Sequence, residues 1–377
     1  MGIAYCFDGQ GQHDTQVMKA WFENQPQANQ LIDRAGSILG YDVKQILFDQ
    51  DTANRTEHMP VTAFIWNHIL YEFFRNRYPE KPVCVFGHSL GHYNALVCSG
   101  ALDFEDGLRL VSQRAILAAE AFAYTECGML LVRCNGADEV SALNDLCEKQ
   151  CDGKKHMAIS IINSIKHIIL SYSGYTFSQA EKILHEYHIR PLAVQTPYHS
   201  SPMKIICSDY FQMLETVTVR SPVVPVLSNV TSRPLVRSNI KKDLIDHLIK
   251  CIDMAACMKY TLGRQVDAYV HLSHTKTIPS LLSTNCPECL CYHIENPQEE
   301  QAYAEFRNKR AEHESRDSYV KLLGRFVTIP RFSDYHPVYS DMIDDLIKQQ
   351  SDGAVKTVDQ QETDRLTSIY HDAAEIF

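Results

Sequence analysis

The segment GHSLG at 87–91 has the composition of a turn that presents a nucleophilic serine. It matches G-x-S-x-G, a pattern in which a strand ends in a sharp turn that lifts the serine hydroxyl above the sheet. The glycines are needed because the turn is tight. A short apolar run over 83–86 precedes the turn, and a helix is predicted over 90–99. We therefore predict that Ser89 is a nucleophile.

A serine hydroxyl attacks a carbonyl group only when a base accepts its proton. The chain has 17 histidines, and spacing alone does not choose among them. His199 follows a predicted strand over 190–195 and precedes a predicted helix, and catalytic residues are often found on such connecting segments. A purely structural, helix-capping role for His199 stays open on this evidence. His92, which lies three residues after Ser89, is expected at the surface.

Predicted strands and helices alternate along most of the chain, which is typical of an α/β fold. Amphipathic helical stretches are predicted around 16–39, and a strand is predicted over 223–230. Between 128 and 195 the predicted order is β-α-β-β-α-β, which indicates a ferredoxin-like unit. The expected domains are therefore a discontinuous α/β lobe, a small lobe inserted into it and a helical C-terminal extension, with bounds 1–127 and 196–294, 128–195, and 295–377.

The composition is that of a globular protein and excludes several functional classes. The 377 residues are 45% hydrophobic and 22% charged, which argues against wholesale disorder. Lysine and arginine total 36 against 46 for aspartate and glutamate, so the net charge is −10 and a general nucleic-acid binder is not expected. No apolar run approaches the ~20 residues of a membrane-spanning helix, and no secretory signal is visible. We expect a cytoplasmic protein without nucleic-acid or membrane partners.

Thirteen cysteines are scattered without the spacing of a disulfide framework, which favours reduced thiols. The one dense group is Cys286, Cys289 and Cys291, followed by His293. Structural zinc sites usually take four ligands in two separated pairs, and this group lacks that spacing. The favoured interpretation is structural thiols, and we predict neither a metal nor a bound cofactor.

Six motifs in collinear order resemble the malonyl-CoA:acyl carrier protein transacylase family, the acyltransferases of fatty acid and polyketide synthesis. FDGQGQH (7–13) is similar to FPGQGSQ, GHSLGHYNALVCSGAL (87–102) to GHSLGEYxALVxAGxL, RLVSQRAILA (109–118) to LVxxRGxLM, CGMLLV (127–132) to GAMxAV, TPYHSSPM (196–203) to GAFHSxLM, and PVLSNVT (225–231) to PVxSNVT. The match covers roughly residues 1–285. The resemblance implies an α/β-hydrolase-like large lobe with an inserted ferredoxin-like small lobe.

The resemblance also implies a role for each matching residue. Ser89 would carry the acyl group, and His199 would be its base. The main-chain N–H groups of Gln10 and Leu90 would form the oxyanion hole. Arg114 would bind the carboxylate of a malonyl group, a task that suits the paired donors of a guanidinium. Further candidates for contacting the substrate or orienting the catalytic groups are Tyr198, His247, Asn163 and His88.

Several positions depart from the family pattern. The glutamate that follows the serine turn is His92 here, and the glutamine that orients the base through its main-chain carbonyl aligns with His247. A late GPG turn reads SHT at 273–275. Tyr198 stands where malonyl-preferring members carry a bulky ring and methylmalonyl-preferring members carry a small residue. The resemblance therefore implies a preference for malonyl over methylmalonyl.

We expect a serine acyltransferase that works in two half-reactions. The malonyl group of malonyl-CoA passes to Ser89, and the phosphopantetheine thiol of an acyl carrier protein then takes it. The drift from the family pattern favours a polyketide or specialised lipid pathway, with primary fatty acid synthesis as the other option. Two alternatives are an acyl hydrolase that clears carrier proteins and a non-catalytic docking subunit. Arg114 favours transfer, because a hydrolase of simple acyl chains has no use for a buried cation.

Overall fold

The structure is a computed structural model that describes residues 2–23, 25–326, 364, 366 and 367. The chain divides into two compact units, one that ends at Glu299 and one that begins at Glu300. The described strands are β1 (Gly2–Phe7), β2 (Cys84–Gly87), β3 (Cys127–Arg133), β4 (His156–Ser164), β5 (His167–Ser173), β6 (His188–Pro191), β7 (Ile252–Asp253), β8 (Val266–His271) and β9 (Leu290–His293).

Helices connect these strands and make up most of the remaining described chain. They are α1 (Thr15–Glu23), α2 (Asn29–Leu39), α3 (Val43–Phe48), α4 (Gln50–Ala53), α5 (Met59–Arg77), α6 (Gly91–Cys98), α7 (Phe104–Phe122), α8 (Ala137–Lys149), α9 (Phe177–Ile183), α10 (Cys207–Thr216), α11 (Ile240–Ile249), α12 (Met254–Leu262), α13 (Thr277–Asn285) and α14 (Pro297–Phe326). Every helix that the structure describes is too short or too polar to cross a lipid bilayer.

Two sheets organise the first unit. The larger-lobe sheet has the order β2-β1-β8-β9, and all of its neighbouring strands pair in parallel. Every residue of β1 is buried, as expected of a parallel strand that is covered on both faces. The second sheet has the order β6-β3-β5-β4-β7. Its first four strands are antiparallel, and α8 and α9 pack their apolar residues against it. The α/β fold class is confirmed.

Two predicted strands are wrong in detail. The strand predicted over 223–230 forms only isolated bridges at Val226 and Leu227, because the prolines at 222 and 225 cannot donate to a ladder. The strand predicted over 190–195 is β6, which ends at Pro191. The helical stretches predicted around 16–39 are the helices α1 and α2, which a 3₁₀ turn separates.

The predicted C-terminal extension is described only in part. Its first segment is the helix α14, and residues 364, 366 and 367 are helical. The rest of the prediction for 295–377 lies outside the described residues.

The parallel sheet gathers four loops at one edge. Because all four strands run in the same direction, the segments after their carboxyl ends lie side by side. These segments begin at Asp8 after β1, His88 after β2, Leu272 after β8 and Ile294 after β9. This edge therefore holds the predicted nucleophile Ser89, the loop that carries Gln10, and the SHT turn at 273–275.

Candidate active site

Ser89 lies on the tight turn between β2 and α6. Its φ of +49° is in the left-handed region, which costs a non-glycine residue about 1–3 kcal/mol. A Cβ atom at Gly87 would lie 1.9 Å from the main-chain carbon of Gly91. A Cβ atom at Gly91 would lie 2.2 Å from the carbonyl oxygen of Phe7. Both glycines are therefore required by close main-chain contacts, as the G-x-S-x-G pattern predicted.

Ser89 and His199 are in contact although 110 positions separate them. The Oγ of Ser89 lies 2.7 Å from Nε2 of His199, and Nδ1 of the same ring lies 2.6 Å from the carbonyl oxygen of His247. Because a carbonyl only accepts, Nδ1 carries the hydrogen. Nε2 is then the free acceptor, and the serine hydroxyl donates to it. This is the arrangement in which a histidine can take the serine proton.

His199 is buried and sits near a positive charge. Burial, together with the charge of Arg114, lowers its pKa to about 3. Like Ser89, it has a left-handed backbone, with φ of +59°. With this pKa the ring is neutral at physiological pH, so its Nε2 has a free lone pair for the serine hydroxyl.

The main-chain amides of Gln10 and Leu90 are available beside the serine. Within the described residues, neither amide donates to a protein acceptor. Leu90 directly precedes the first residue of α6, whose N-terminus carries partial positive charge. The loop that carries Gln10 packs closely on the serine turn, since a Cβ atom at Gly9 would lie 2.8 Å from the carbonyl oxygen of His88 and 3.4 Å from the Ser89 Cβ.

Arg114 is a buried cation, with an exposed fraction of 1%. Its three side-chain nitrogens have no hydrogen-bond acceptor in the part of the chain that the structure describes. Its guanidinium carbon lies 4.3 Å from the ring centre of Tyr198 and 5.5 Å from that of Tyr93. A buried charge without a partner is costly, so this position is suited to an anionic group of a ligand.

A cleft of about 810 Å³ opens above Ser89 between the two sheets. Tyr198 lines it, as do His88 and Asn163, whose Nε2 and Oδ1 atoms are 2.8 Å apart. Three exposed cations also line the cleft, one from the larger lobe and two from the small-lobe sheet: Lys276, Arg133 and Arg190. The cleft thus combines a reactive serine with positive charge at its exposed walls.

Asn229 belongs to the site although it was not predicted from the sequence. Its Nδ2 donates to the carbonyl oxygen of Gly87 at 2.7 Å, and its Oδ1 lies 3.3 Å from Nε2 of His247. One buried amide therefore joins the serine turn to the residue that accepts from His199. The available signal is the PVLSNVT motif at 225–231, which contains this asparagine.

The expectation that His92 lies at the surface is wrong. The side chain is fully buried, and its Nε2 lies 2.9 Å from Oδ2 of Asp243. Ser228 donates to the other oxygen of that carboxylate at 2.5 Å. The physical reason is that α6 is buried along most of its length, so its polar residues need interior partners.

The cysteines near 290 differ in their exposure. Cys286 is buried, whereas Cys289 and Cys291 are partly exposed, and His293 contacts His271 at 2.9 Å. In the described residues, no three side chains of metal-binding type are arranged to hold an ion.

Comparison with known proteins shows which enzymes the chain resembles. No protein-family model matches the chain. The malonyl CoA-acyl carrier protein transacylase of Bacillus subtilis is 27% identical over 289 residues, which are 74% of this chain and 70% of the relative. The enzyme of the same name from Staphylococcus aureus (strain COL) is 25% identical over 285 residues, which are 74% of this chain and 91% of the relative. Over about three quarters of its length, the chain is similar to malonyl CoA-acyl carrier protein transacylases.

Solved structures with family names share the fold. The transacylase of Coxiella burnetii has a TM-score of 0.73 and 21% identity, covering 79% of this chain and 95% of the other. The transacylase of Clostridium perfringens has a TM-score of 0.75 and 22% identity, and the match covers 83% of this chain and 100% of the other. The structure of a malonyl-transacylase in complex with its type II polyketide acyl-carrier protein has a TM-score of 0.73 and 20% identity. The match covers 79% of this chain and 97% of the other. The predicted family resemblance and its two-lobe α/β fold are thus confirmed.

The close contact at Gly91 generates a first prediction. We expect Gly91→Ala to destabilise the fold by about 1–3 kcal/mol or more, because its methyl group would meet main-chain oxygens of both Phe7 and Asp8. Denaturant unfolding and labelling of Ser89 by a fluorophosphonate measure the effect. Gly136→Ala is the matched control, since a Cβ atom there meets nothing within 4 Å. Equal stability of the two variants would contradict the packing argument.

Proposed function

We propose that the protein transfers a malonyl group from malonyl-CoA to the phosphopantetheine thiol of an acyl carrier protein through an acyl-enzyme on Ser89. The observation that carries this proposal is the unpaired, buried Arg114 beside the contact between Ser89 and His199. The serine pair supplies acyl transfer chemistry, and the cation supplies a reason for a carboxylate on the acyl group. The names of the relatives support the same pair of substrates.

In the first half-reaction, the Oγ of Ser89 attacks the thioester carbonyl carbon while its proton passes to Nε2 of His199. The amides of Leu90 and Gln10 stabilise the oxyanion that forms. When this intermediate collapses, the C–S bond breaks and the proton on His199 goes to the CoA sulfur. CoA leaves as the thiol, and the malonyl group stays on Ser89 as an ester.

In the second half-reaction, the thiol of the carrier protein replaces CoA. His199 takes the thiol proton, and the sulfur attacks the ester carbonyl of the acyl-enzyme. The bond from the carbonyl carbon to the Ser89 oxygen then breaks, and the serine recovers its proton from His199. The reaction is an exchange between two thioesters, so it needs neither a redox partner nor a bound cofactor.

The cations of the cleft suit both substrates. Arg133, Arg190 and Lys276 line the cleft at exposed positions. Both CoA and the phosphopantetheine arm carry phosphate groups, for which arginine and lysine are favoured partners. Ser89 then meets the thioester of malonyl-CoA in the first half-reaction, and the acyl-enzyme meets the thiol of the phosphopantetheine arm in the same cleft in the second.

The proposed pathway is polyketide or specialised lipid biosynthesis. Its support is the drift from the family pattern at His92, His247 and the SHT turn at 273–275. A structural neighbour solved with a type II polyketide carrier protein is compatible with this choice. Ordinary fatty acid synthesis is the competing assignment, and relative loading of the two kinds of carrier protein separates them.

The acyl-enzyme is tested with labelled malonyl-CoA. The unmodified protein should carry the label on Ser89 and release it to a phosphopantetheinylated carrier protein. Ser89→Ala should abolish labelling, and His199→Ala should lower turnover by several orders of magnitude, as for other nucleophile–base pairs. Mass spectrometry of the labelled peptide locates the ester. Label on the alanine variant would contradict the assignment, and release mainly to water would indicate a hydrolase.

Arg114→Ala should shift the acyl preference from malonyl towards acetyl. The substitution removes hydrogen bonds to a carboxylate, each worth about 1.5–3 kcal/mol, while an uncharged acyl group loses nothing. We expect a malonyl rate at least about tenfold lower and an acetyl rate that is unchanged or higher. Arg109→Ala is the matched control, because Arg109 is on the same helix and about half exposed. Equal malonyl and acetyl rates in the unmodified protein would argue against the role.

Tyr198 should exclude an α-methyl group. Its ring lines the cleft and covers the guanidinium of Arg114, so a methyl substituent on the malonyl group would overpack the site at a cost of about 1–3 kcal/mol. We expect malonyl over methylmalonyl, with Tyr198→Ser narrowing the difference. Competition between the two CoA thioesters, followed by mass spectrometry of the carrier protein, measures it. Equal loading by the unmodified protein would contradict this role for Tyr198.

The low pKa of His199 predicts unusual acid tolerance. A histidine with a pKa near 6.5 is only about 3% neutral at pH 5, whereas His199, with a pKa of about 3, stays neutral. The value of kcat/KM should therefore change less than about twofold between pH 7 and pH 5. Arg114→Ala should move the acidic limb to higher pH, because it removes a charge that lowers this pKa. A loss of activity centred near pH 6.5 would contradict the prediction.

A further inference from the structure

The loop that carries Gln10 is held at both ends by one short segment. The loop runs from Asp8 to Asp14, and the segment is Ser273–Thr275, which follows β8. Contacts join this segment to the loop across more than 250 positions of sequence. We call Ser273–Thr275 the SHT clamp.

The first end of the loop is fixed through a buried carboxylate. Asp8 has an exposed fraction of 1%. Its main-chain N–H donates to the Ser273 hydroxyl at 2.7 Å, and the Thr275 hydroxyl donates to its Oδ2 at 2.7 Å. The amides of Thr277 and Ile278 donate to the same carboxylate at 2.8 and 2.7 Å. With three donors and His271 at 3.2 Å, the pKa of Asp8 is lowered although burial opposes ionisation.

The second end of the loop is fixed through His274. The main-chain N–H of Asp14 donates to Nε2 of this ring at 3.1 Å, and Nδ1 lies 2.8 Å from both oxygens of Glu295. Since Nε2 accepts, Nδ1 must be the nitrogen that donates to the carboxylate. Glu295 is held in turn by Trp66, whose indole N–H donates to it at 2.9 Å.

Asp8 and the SHT clamp both depart from the family pattern. Where that pattern has FPGQG, this chain has Asp8, and where it has GPG, this chain has the SHT clamp. Proline and glycine have no side-chain donor or acceptor, so none of the clamp's side-chain hydrogen bonds could form in the pattern sequence. Residues far apart in the chain thus differ from the pattern in a way that lets them bond to each other.

We propose that the SHT clamp, through Asp8 and Asp14, positions the oxyanion loop so that the amide of Gln10 faces the reacting carbonyl. This inference rests on the proposed function, since Gln10 matters only if Ser89 is acylated. Asp8 also caps α13, which contributes Thr277, Ser280 and Leu281 to the cleft wall. The carboxylate of Asp8 therefore fixes the position of the loop relative to the cleft wall. In this role Asp8 and the clamp residues are positioning residues and do not touch the substrate.

A matched pair of variants at residue 275 separates hydrogen bonding from packing. Thr275→Val keeps the shape and the methyl group that approaches Gly11 but removes the hydroxyl donor to Asp8. Thr275→Ser keeps the donor and removes the methyl group. A displaced oxyanion donor slows the chemical step more than it weakens binding. We therefore expect Thr275→Val to lower kcat about tenfold with KM within twofold, and Thr275→Ser to keep kcat within about twofold.

Asp8→Asn and His274→Gln extend the test to both ends of the loop. Each should lower kcat at least about tenfold with little change in KM. Thr275→Val should lower kcat less in the Asp8→Asn background than by itself, because the carboxylate that accepts from Thr275 is then already replaced. Asp42→Asn is the control for helix capping, since Asp42 caps α3 and does not line the cleft. If Asp8→Asn fails to fold, the pair at residue 275 and His274→Gln still decide.

The rate at which a fluorophosphonate labels Ser89 keeps the inference separate from the proposed function. This probe forms its own oxyanion at Ser89 and needs neither malonyl-CoA nor a carrier protein. Slower labelling of Thr275→Val than of Thr275→Ser supports the clamp even if no malonyl transfer is found in the unmodified protein. Equal labelling and equal kcat in the two variants, or a change confined to the melting temperature, would overturn the proposal.

Discussion

The hydrogen bond from His199 to the carbonyl of His247 is the interaction on which the site depends. The carbonyl is available because it lies in the last turn of α11, where helix geometry leaves carbonyl groups without an amide partner. It fixes the ring tautomer, and the partial negative charge of the helix end favours the protonated ring that forms during the reaction. A main-chain group cannot be lost by side-chain substitution. This explains how the site accommodates His247 where the family has glutamine.

Electrostatics in the site are arranged around Arg114, whose guanidinium has no acceptor within the described part of the chain. Burial, and after it the charge of Arg114, lowers the pKa of His199, which keeps the ring neutral. A carboxylate bound at Arg114 would cancel much of that effect, so the histidine would become more basic when the acyl group is in place. In the proposed reaction, one buried charge would therefore couple substrate binding to proton transfer.

Local signals predicted one part of this site, and long-range contacts determine the rest. Ser89 could be assigned because strand, turn and helix are adjacent in sequence. His199 and Arg114 could not be chosen from periodicity alone, since an amphipathic helix and a polar turn are compatible with surface positions, and the family resemblance supplied them. The burial of His92 and the contact of Asp8 with the SHT clamp were not predictable, because each partner lies more than 150 positions away.

The left-handed backbone at Ser89 has an evolutionary consequence. Serine at this φ is strained, whereas glycine adopts it freely. Selection for stability alone would therefore replace the residue, and the stablest form of this fold would be an inert one. The strained backbone of Ser89 and His199 and the buried Arg114, which has no acceptor within the described residues, each lower stability. If the proposed function is right, these features are the stability that the fold gives up for activity.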